Sequence, residues 1–178
     1  MRVFIAVEMP EEIKKILLDA QKQINTKEAR IRPAKAFHLT LKFLGEVEEK
    51  KIENIKSALK TIKFKKFDTA LTEIGVFPNE NYIRVVWIGL NDSENKITSL
   101  QKEVDSKIEK LGFKKDTRFH PHLTLARVKF VEDKQGFIKN LKEIKIEKKA
   151  FQITEFKLIK SILTPEGPVY EDISVFQA

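Results

Sequence analysis

The sequence predicts an α+β fold: two duplicated β-α-β-α-β units, with mostly antiparallel sheets around a central cleft and helices on the outer faces. Three observations carry this expectation. Apolar patterns run strand, helix, strand, helix, long strand, and then run through the same order again. The tetrapeptide His38-Leu39-Thr40-Leu41 recurs as His122-Leu123-Thr124-Leu125, 84 positions later. No linker rich in Gly, Ser or Pro divides the chain, so residues 1–178 are expected to form one bilobal domain with pseudo-repeat halves of about 1–80 and 81–178.

Val3–Val7 is a short apolar run bounded by Pro10, and it reads as a buried strand. From Glu11 to Asn25, Ile13, Ile16, Leu17, Ala20 and Ile24 recur at helical spacing, with Pro10 suited to the start of the helix. The first motif strand spans about 37–44 and stops at Gly45. Ile52, Ile55, Leu59 and Ile62 mark a second amphipathic helix, and alternation over 64–77 marks a long strand. A turn at Pro78-Asn79-Glu80-Asn81 leads into a Val-, Ile- and Trp-containing strand at 82–90. Asn91-Asp92-Ser93 supplies helix-starting side chains for a stripe through Ile97, Leu100, Val104, Ile108 and Leu111, closed by Gly112. The second motif strand is placed at 118–130, a short helix at 133–141, and a strand of imperfect period at 148–163. Thr164-Pro165-Glu166-Gly167-Pro168 is a turn into the last strand, 170–176. On this reading Val3 falls against Trp87, His38 against His122 and Phe67 against Phe151.

Composition narrows the chemistry. With no cysteine, disulfides, thiolate nucleophiles and Cys-based zinc sites are excluded. No signal-peptide pattern and no run of apolar residues long enough to span a bilayer occurs, so a cytoplasmic protein is expected. The formal charge of +8 suits a polyanionic partner, although abundant Lys and Glu also describe a thermophile's solvated surface. The arginines are more telling. Of six, Arg30 and Arg32 precede the first tetrad, while Arg118 and Arg127 flank the second, and guanidinium suits bidentate phosphate recognition.

In an extended strand each tetrad puts its His and Thr on one face and its two Leu on the other. Two imidazoles facing each other can divide acid and base work near neutrality. Two hydroxyls and an arginine can hold a phosphodiester between them, and such a site needs no metal. One tetrad alone is readily a strand of the core; two in register point to a site. Arg127 is out of phase with His122 and Thr124, so a bulge must re-aim it if it is to reach the phosphate. His120 is in phase with His122, but a metal site with His38 is not expected because carboxylates of matching phase are lacking. Phe37, Phe43 and Phe119 are expected in the core more than as base-stacking platforms.

These residues resemble the two-histidine phosphoesterase superfamily. The start Met-Arg-Val-Phe-Ile-Ala-Val, Lys42-Phe43-Leu44-Gly45 and His120-Pro121-His122-Leu123-Thr124-Leu125-Ala126-Arg127 are similar to its RNA 2′,3′-cyclic phosphodiesterase branch, also called 2′-5′ RNA ligase. The resemblance covers essentially the whole chain. It implies hydrolysis of RNA 2′,3′-cyclic phosphate ends to a 2′-phosphate, with reversible 2′-5′ joining of tRNA halves as a related reaction. Residue by residue it implies His38 as proton donor and His122 as proton acceptor, with Thr40, Thr124 and Arg127 binding substrate. No cofactor, metal or membrane is expected, and a monomer is. No phosphate-cradling GxxxxGK[ST] loop occurs, so joining should not need ATP. The alternatives are a phosphodiesterase acting on a small cyclic phosphate nucleotide and a non-catalytic RNA-binding module.

Overall fold

The computed structural model describes residues 1–178. Its elements are β1 (Arg2–Glu8), α1 (Glu11–Lys22), β2 (Ala29–Pro33), β3 (His38–Glu46), α2 (Glu49–Lys60), β4 (Phe67–Asn79), β5 (Tyr82–Leu90), α3 (Lys96–Glu109), β6 (His122–Val131), α4 (Lys134–Glu143), β7 (Ala150–Ile153), β8 (Glu155–Thr164) and β9 (Gly167–Gln177). The strands form two antiparallel sheets, ordered β3-β1-β8-β9 and β2-β6-β5-β4-β7. With four helices, this is the α+β architecture that the patterning implies.

Each sheet mixes the two sequence halves. β1 and β3 pair with β8 and β9 from the far end of the chain, while β5 and β6 take β4 from the first half. The exchange occurs where β4 meets β7, with Asp68 opposite Gln152. These residues lie 84 apart, as a local two-fold axis between equivalent strands requires. Gln152 Nε2 donates to Asp68 Oδ1 there at 3.1 Å. One residue, Thr154, separates β7 in one sheet from β8 in the other. The imperfect period over 148–163 is this hand-over between sheets.

Apolar burial orders the layers. Val3, Ile5 and Val7 of β1 join Leu39, Leu41, Leu123 and Leu125 and the inner faces of all four helices in one cluster of 40 buried residues. The opposite face of β1 carries Phe4 and Ala6, which form a small separate cluster with Ile159 beneath Tyr170. The helices thus share the large core, and the cleft lies on the other side of the sheets.

Several boundaries differ from expectation for local reasons. β2 has no counterpart in the apolar patterning; its five residues hold two arginines and a proline, and only Ala29 is buried. Pro78 lies within β4, and the turn is confined to Glu80-Asn81, where Asn79 Oδ1 accepts from the Asn81 and Tyr82 amides at 3.0 and 3.1 Å. Asp92 lies ahead of α3, whose N-cap is Asn95, yet its carboxylate accepts from the Ile97 and Thr98 amides of the first turn at 2.7 and 3.0 Å. β6 begins only at His122, because residues 118–121 are irregular and Pro121 offers no amide. No helix is long and apolar enough to cross a membrane.

Candidate active site

The two tetrads begin β3 and β6, and alternation does what the sequence requires of it. Leu39, Leu41, Leu123 and Leu125 are buried in the core, while His38, Thr40, His122 and Thr124 line one cleft of about 760 Å³. The strands then break step at the same point. On β3, Ala6 pairs with Thr40 but Ile5 with Lys42, so Leu41 is the extra residue of a bulge. On β6, Trp87 pairs with Thr124 but Val86 with Ala126, so Leu125 is extra. Beyond each bulge the faces invert: Lys42 and Ala126 are buried, and Phe43 and Arg127 turn outward to line the cleft. The bulge re-aims Arg127 onto the face of His122 and Thr124. It also overturns the expected core position of Phe43, which is 63% exposed. Phe37 is buried, and Phe119 is partly buried against the core. Register also corrects the alignment of the first strands: Ala6, not Val3, is the counterpart of Trp87.

Aromatic walls set the state of both imidazoles. The His38 ring lies 4.8 Å from Phe4 and 5.4 Å, edge to face, from Tyr170. Burial there pushes its pKa down to about 4; Glu8, its cross-strand neighbour, pulls upward, and His122 adds a depressing charge. Glu8 is itself held ionised by Lys14 at 2.8 Å and Lys157 at 2.6 Å. The His122 ring meets Phe77 edge to face at 4.9 Å. Burial lowers its pKa as well, opposed by a bond to the His120 carbonyl and reinforced by His120 and Arg127. That bond, 2.7 Å from Nδ1, fixes the tautomer: a carbonyl can only accept, so Nδ1 carries the proton and Nε2 keeps its lone pair.

The remaining groups suit an anion. Thr61, Thr69, Thr98 and Thr164 donate their hydroxyls within the protein, whereas Thr40 and Thr124 do not. Twelve lysines have a carboxylate within 4.0 Å, but none of the six arginines does. Arg32 on β2 pairs with Arg127 on β6, and both line the cleft. Arg30 and Arg118 do not. His120 stands apart from His38, its ring 4.8 Å from Trp87 and 5.6 Å from Phe77. Phe4, Phe77 and Tyr170 escaped the sequence reading as parts of the site. They reach the histidines from other strands, and only the neighbouring turns at 78–81 and 164–168 hint at their placement. The Tyr170 hydroxyl, its pKa raised by burial and lowered by Arg127 and Arg2, lies within the field of the same guanidinium as His122.

The arrangement is two neutral imidazoles, two free hydroxyls and unpaired guanidinium groups around one cleft, a setting for proton transfer at a bound phosphoryl group. Comparisons with known proteins point to phosphoesterases. A protein from Methanocaldococcus jannaschii named RNA 2′,3′-cyclic phosphodiesterase is 41% identical over 177 residues, covering 97% of this chain and 98% of its own. The crystal structure of TT0787 of Thermus thermophilus superposes with a TM-score of 0.83 at 27% identity, covering 99% of this chain and 97% of that one. E. coli LigT complexed with 3′-AMP gives a TM-score of 0.79 at 26% identity, again covering 99% and 97%. The model of the LigT-like phosphoesterases matches twice, over residues 7–87 and 88–170, each match taking in one tetrad. This chain belongs to the LigT-like phosphoesterase family.

Proposed function

We propose that the protein hydrolyses the 2′,3′-cyclic phosphate at an RNA 3′ end to a 2′-phosphate, without a metal, by acid-base catalysis between His38 and His122. The observation that carries this reading is the pair of His-x-Thr faces with free hydroxyls in a single cleft. His122 Nε2 takes a proton from water as the water attacks phosphorus in line with the bond to O3′. That bond breaks, and His38 delivers a proton to O3′, leaving a 3′-hydroxyl and a 2′-phosphate. The Thr40 and Thr124 hydroxyls donate to the non-bridging oxygens, and Arg127 balances the charge that gathers on them. Nearby anionic charge favours an imidazolium, so the phosphodiester itself raises the pKa of His38 and brings its proton into the site. With a 5′-hydroxyl in place of water, the same groups join RNA ends 2′-5′ at the expense of the cyclic phosphate. The 41% identity to a protein named for this activity supports the reading, as does the arginine crowd at the cleft. Tyrosine-lined and basic, the site suits RNA ends such as those of tRNA halves, handled by a monomer in the cytoplasm.

The test is hydrolysis of an RNA oligomer ending in a 2′,3′-cyclic phosphate, in the presence of EDTA. His38→Ala and His122→Ala should each lower kcat by at least about 10²-fold while RNA binding persists. A substrate with sulfur at the bridging 3′ position should rescue His38→Ala only, because a better leaving group needs no acid. Normal turnover by both variants would refute the mechanism; rescue of His122→Ala instead would exchange the two roles.

A further inference from the structure

Beyond the cleft, the β2–β6 edge of the same sheet carries a row of groups that hydrolysis at the terminal phosphate does not use. Arg32 and Arg127 pair at the cleft wall, and beyond the cleft the next position on the same face of β2 is Arg30, opposite Phe130 on β6. Lys129 is the extra residue of another bulge between these pairs, which keeps Phe130 turned outward. Phe130, next to the end of β6, is 63% exposed, a large apolar ring left open to solvent. Around it lies a hollow of about 280 Å³ lined also by Lys27, Arg30 and Glu132. Neither Lys27 nor Arg30 has a carboxylate within 4.0 Å to neutralise it, Glu132 of the same hollow included. Two residues along a strand span about 7 Å, which is comparable to the step between successive phosphates of a nucleic-acid strand.

We infer that this edge is a second subsite, which binds the RNA strand on the 5′ side of the cyclic end. The inference rests on the function proposed above and extends it from the terminal phosphate to the chain that bears it. With the cyclic phosphate between the histidines, Arg32 meets the phosphate on the 5′ side of the terminal nucleoside. The preceding base stacks on Phe130, and Arg30 with Lys27 holds the next phosphate. An aromatic ring on an open sheet face beside unpaired cations is the arrangement by which proteins hold single-stranded RNA without reading its sequence. The occupant is therefore an oligonucleotide, and the subsite sets a preference for RNA over cyclic mononucleotides.

The experiment compares kcat/KM for adenosine 2′,3′-cyclic phosphate and for a pentanucleotide with the same cyclic end. Wild type is set against Phe130→Ala, Arg30→Ala and the conservative Phe130→Tyr. Phe130→Ala and Arg30→Ala should lower kcat/KM for the pentanucleotide roughly tenfold, through KM. Turnover of the mononucleotide should stay within about twofold, and Phe130→Tyr should retain pentanucleotide activity. Equal losses on both substrates, or no loss on either, would overturn the subsite. So would a wild-type dimer that dissociates on Phe130→Ala, because Phe130 would then be covered by a second copy. If wild type turns over neither substrate, the proposed function itself fails; if it turns over both and the variants match it, only the subsite does.

Discussion

In the proposed mechanism His38 is the residue on which the chemistry turns, because burial pushes its pKa down to about 4 while an acid must carry a proton near neutrality. A consequence is proton uptake on binding. Titration of adenosine 2′-monophosphate into the protein near pH 7 should consume protons, visible as a binding heat that changes with the ionisation enthalpy of the buffer, and His38→Gln should reduce the uptake. The same shift makes a stability prediction. The folded pKa lies below the unfolded value of 6.5, so the folded state binds fewer protons. Stability is therefore full above pH 6.5 and lost as pH falls toward 4, by about 3 kcal/mol for a shift of this size. His122, also lowered by burial, acts in the same direction. Urea unfolding at pH 7 and pH 4 should show a smaller drop for His38→Gln than for wild type. At this scale the tetrads were legible because period-two alternation alone decides which face they take. Arg127 was legible only as a demand for a bulge. Phe43, the same distance past the first bulge, was misread because nothing in the letters marks the extra residue at Leu41.

Among the elements, the bulges carry a cost that the two halves meet differently. Inverting the faces drives position 126 inward as alanine but position 42 inward as lysine, 5% exposed. Asp105 of α3, equally buried, pairs with it, and Lys42 Nζ also donates to the Lys114 carbonyl at 2.5 Å. Asp105 in turn accepts from the Asp116 amide at 3.1 and 3.2 Å, so the pair ties β3, α3 and the segment that follows it into one joint. Asp105→Ala should lose about 3–5 kcal/mol in chemical denaturation by stranding a buried ammonium, whereas Lys42→Met with Asp105→Leu should lose far less. β4 gives a second case. A Cβ at Gly75 would lie 2.2 Å from Cζ2 of Trp87, so Gly75→Ala must displace the indole that borders His120 and His122. It should cost about 1–3 kcal/mol and reduce turnover as well, measurable by parallel melting and rate assays. The helices and core strands could be read from their apolar stripes. β2 could not, because it is short, charged on its cleft face, and held in place by β6 rather than by its own burial.

For the molecule as a whole, sheet membership lay beyond the sequence reading. Repetition of the tetrads implies two units, but an apolar strand such as 155–164 carries no mark of which sheet it will enter. The outcome is an exchange: β8 completes the sheet of β1, and β4 completes that of β5, over one continuous core. Peptides 1–80 and 81–178 should each be largely unfolded alone and gain structure on mixing, as followed by circular dichroism. RNA affinity should fall steeply with salt, and the slope of log K against log salt should flatten by about one when Arg30 is replaced, since each cation lost is one phosphate fewer. The exchange also governs how such proteins can be recombined. A hybrid that joins residues 1–80 of this chain to the remainder of a relative sets β1 beside a foreign β8 and β4 beside a foreign β5, so both sheets become mosaics. Swapping β2, β4, β5, β6 and β7 together, or β8 and β9 together with β1 and β3, keeps each sheet from a single parent. Heredity in this fold follows the sheets and not the order of the letters, and libraries with breakpoints at the chain's midpoint should yield fewer active offspring than those that respect the crossed strands.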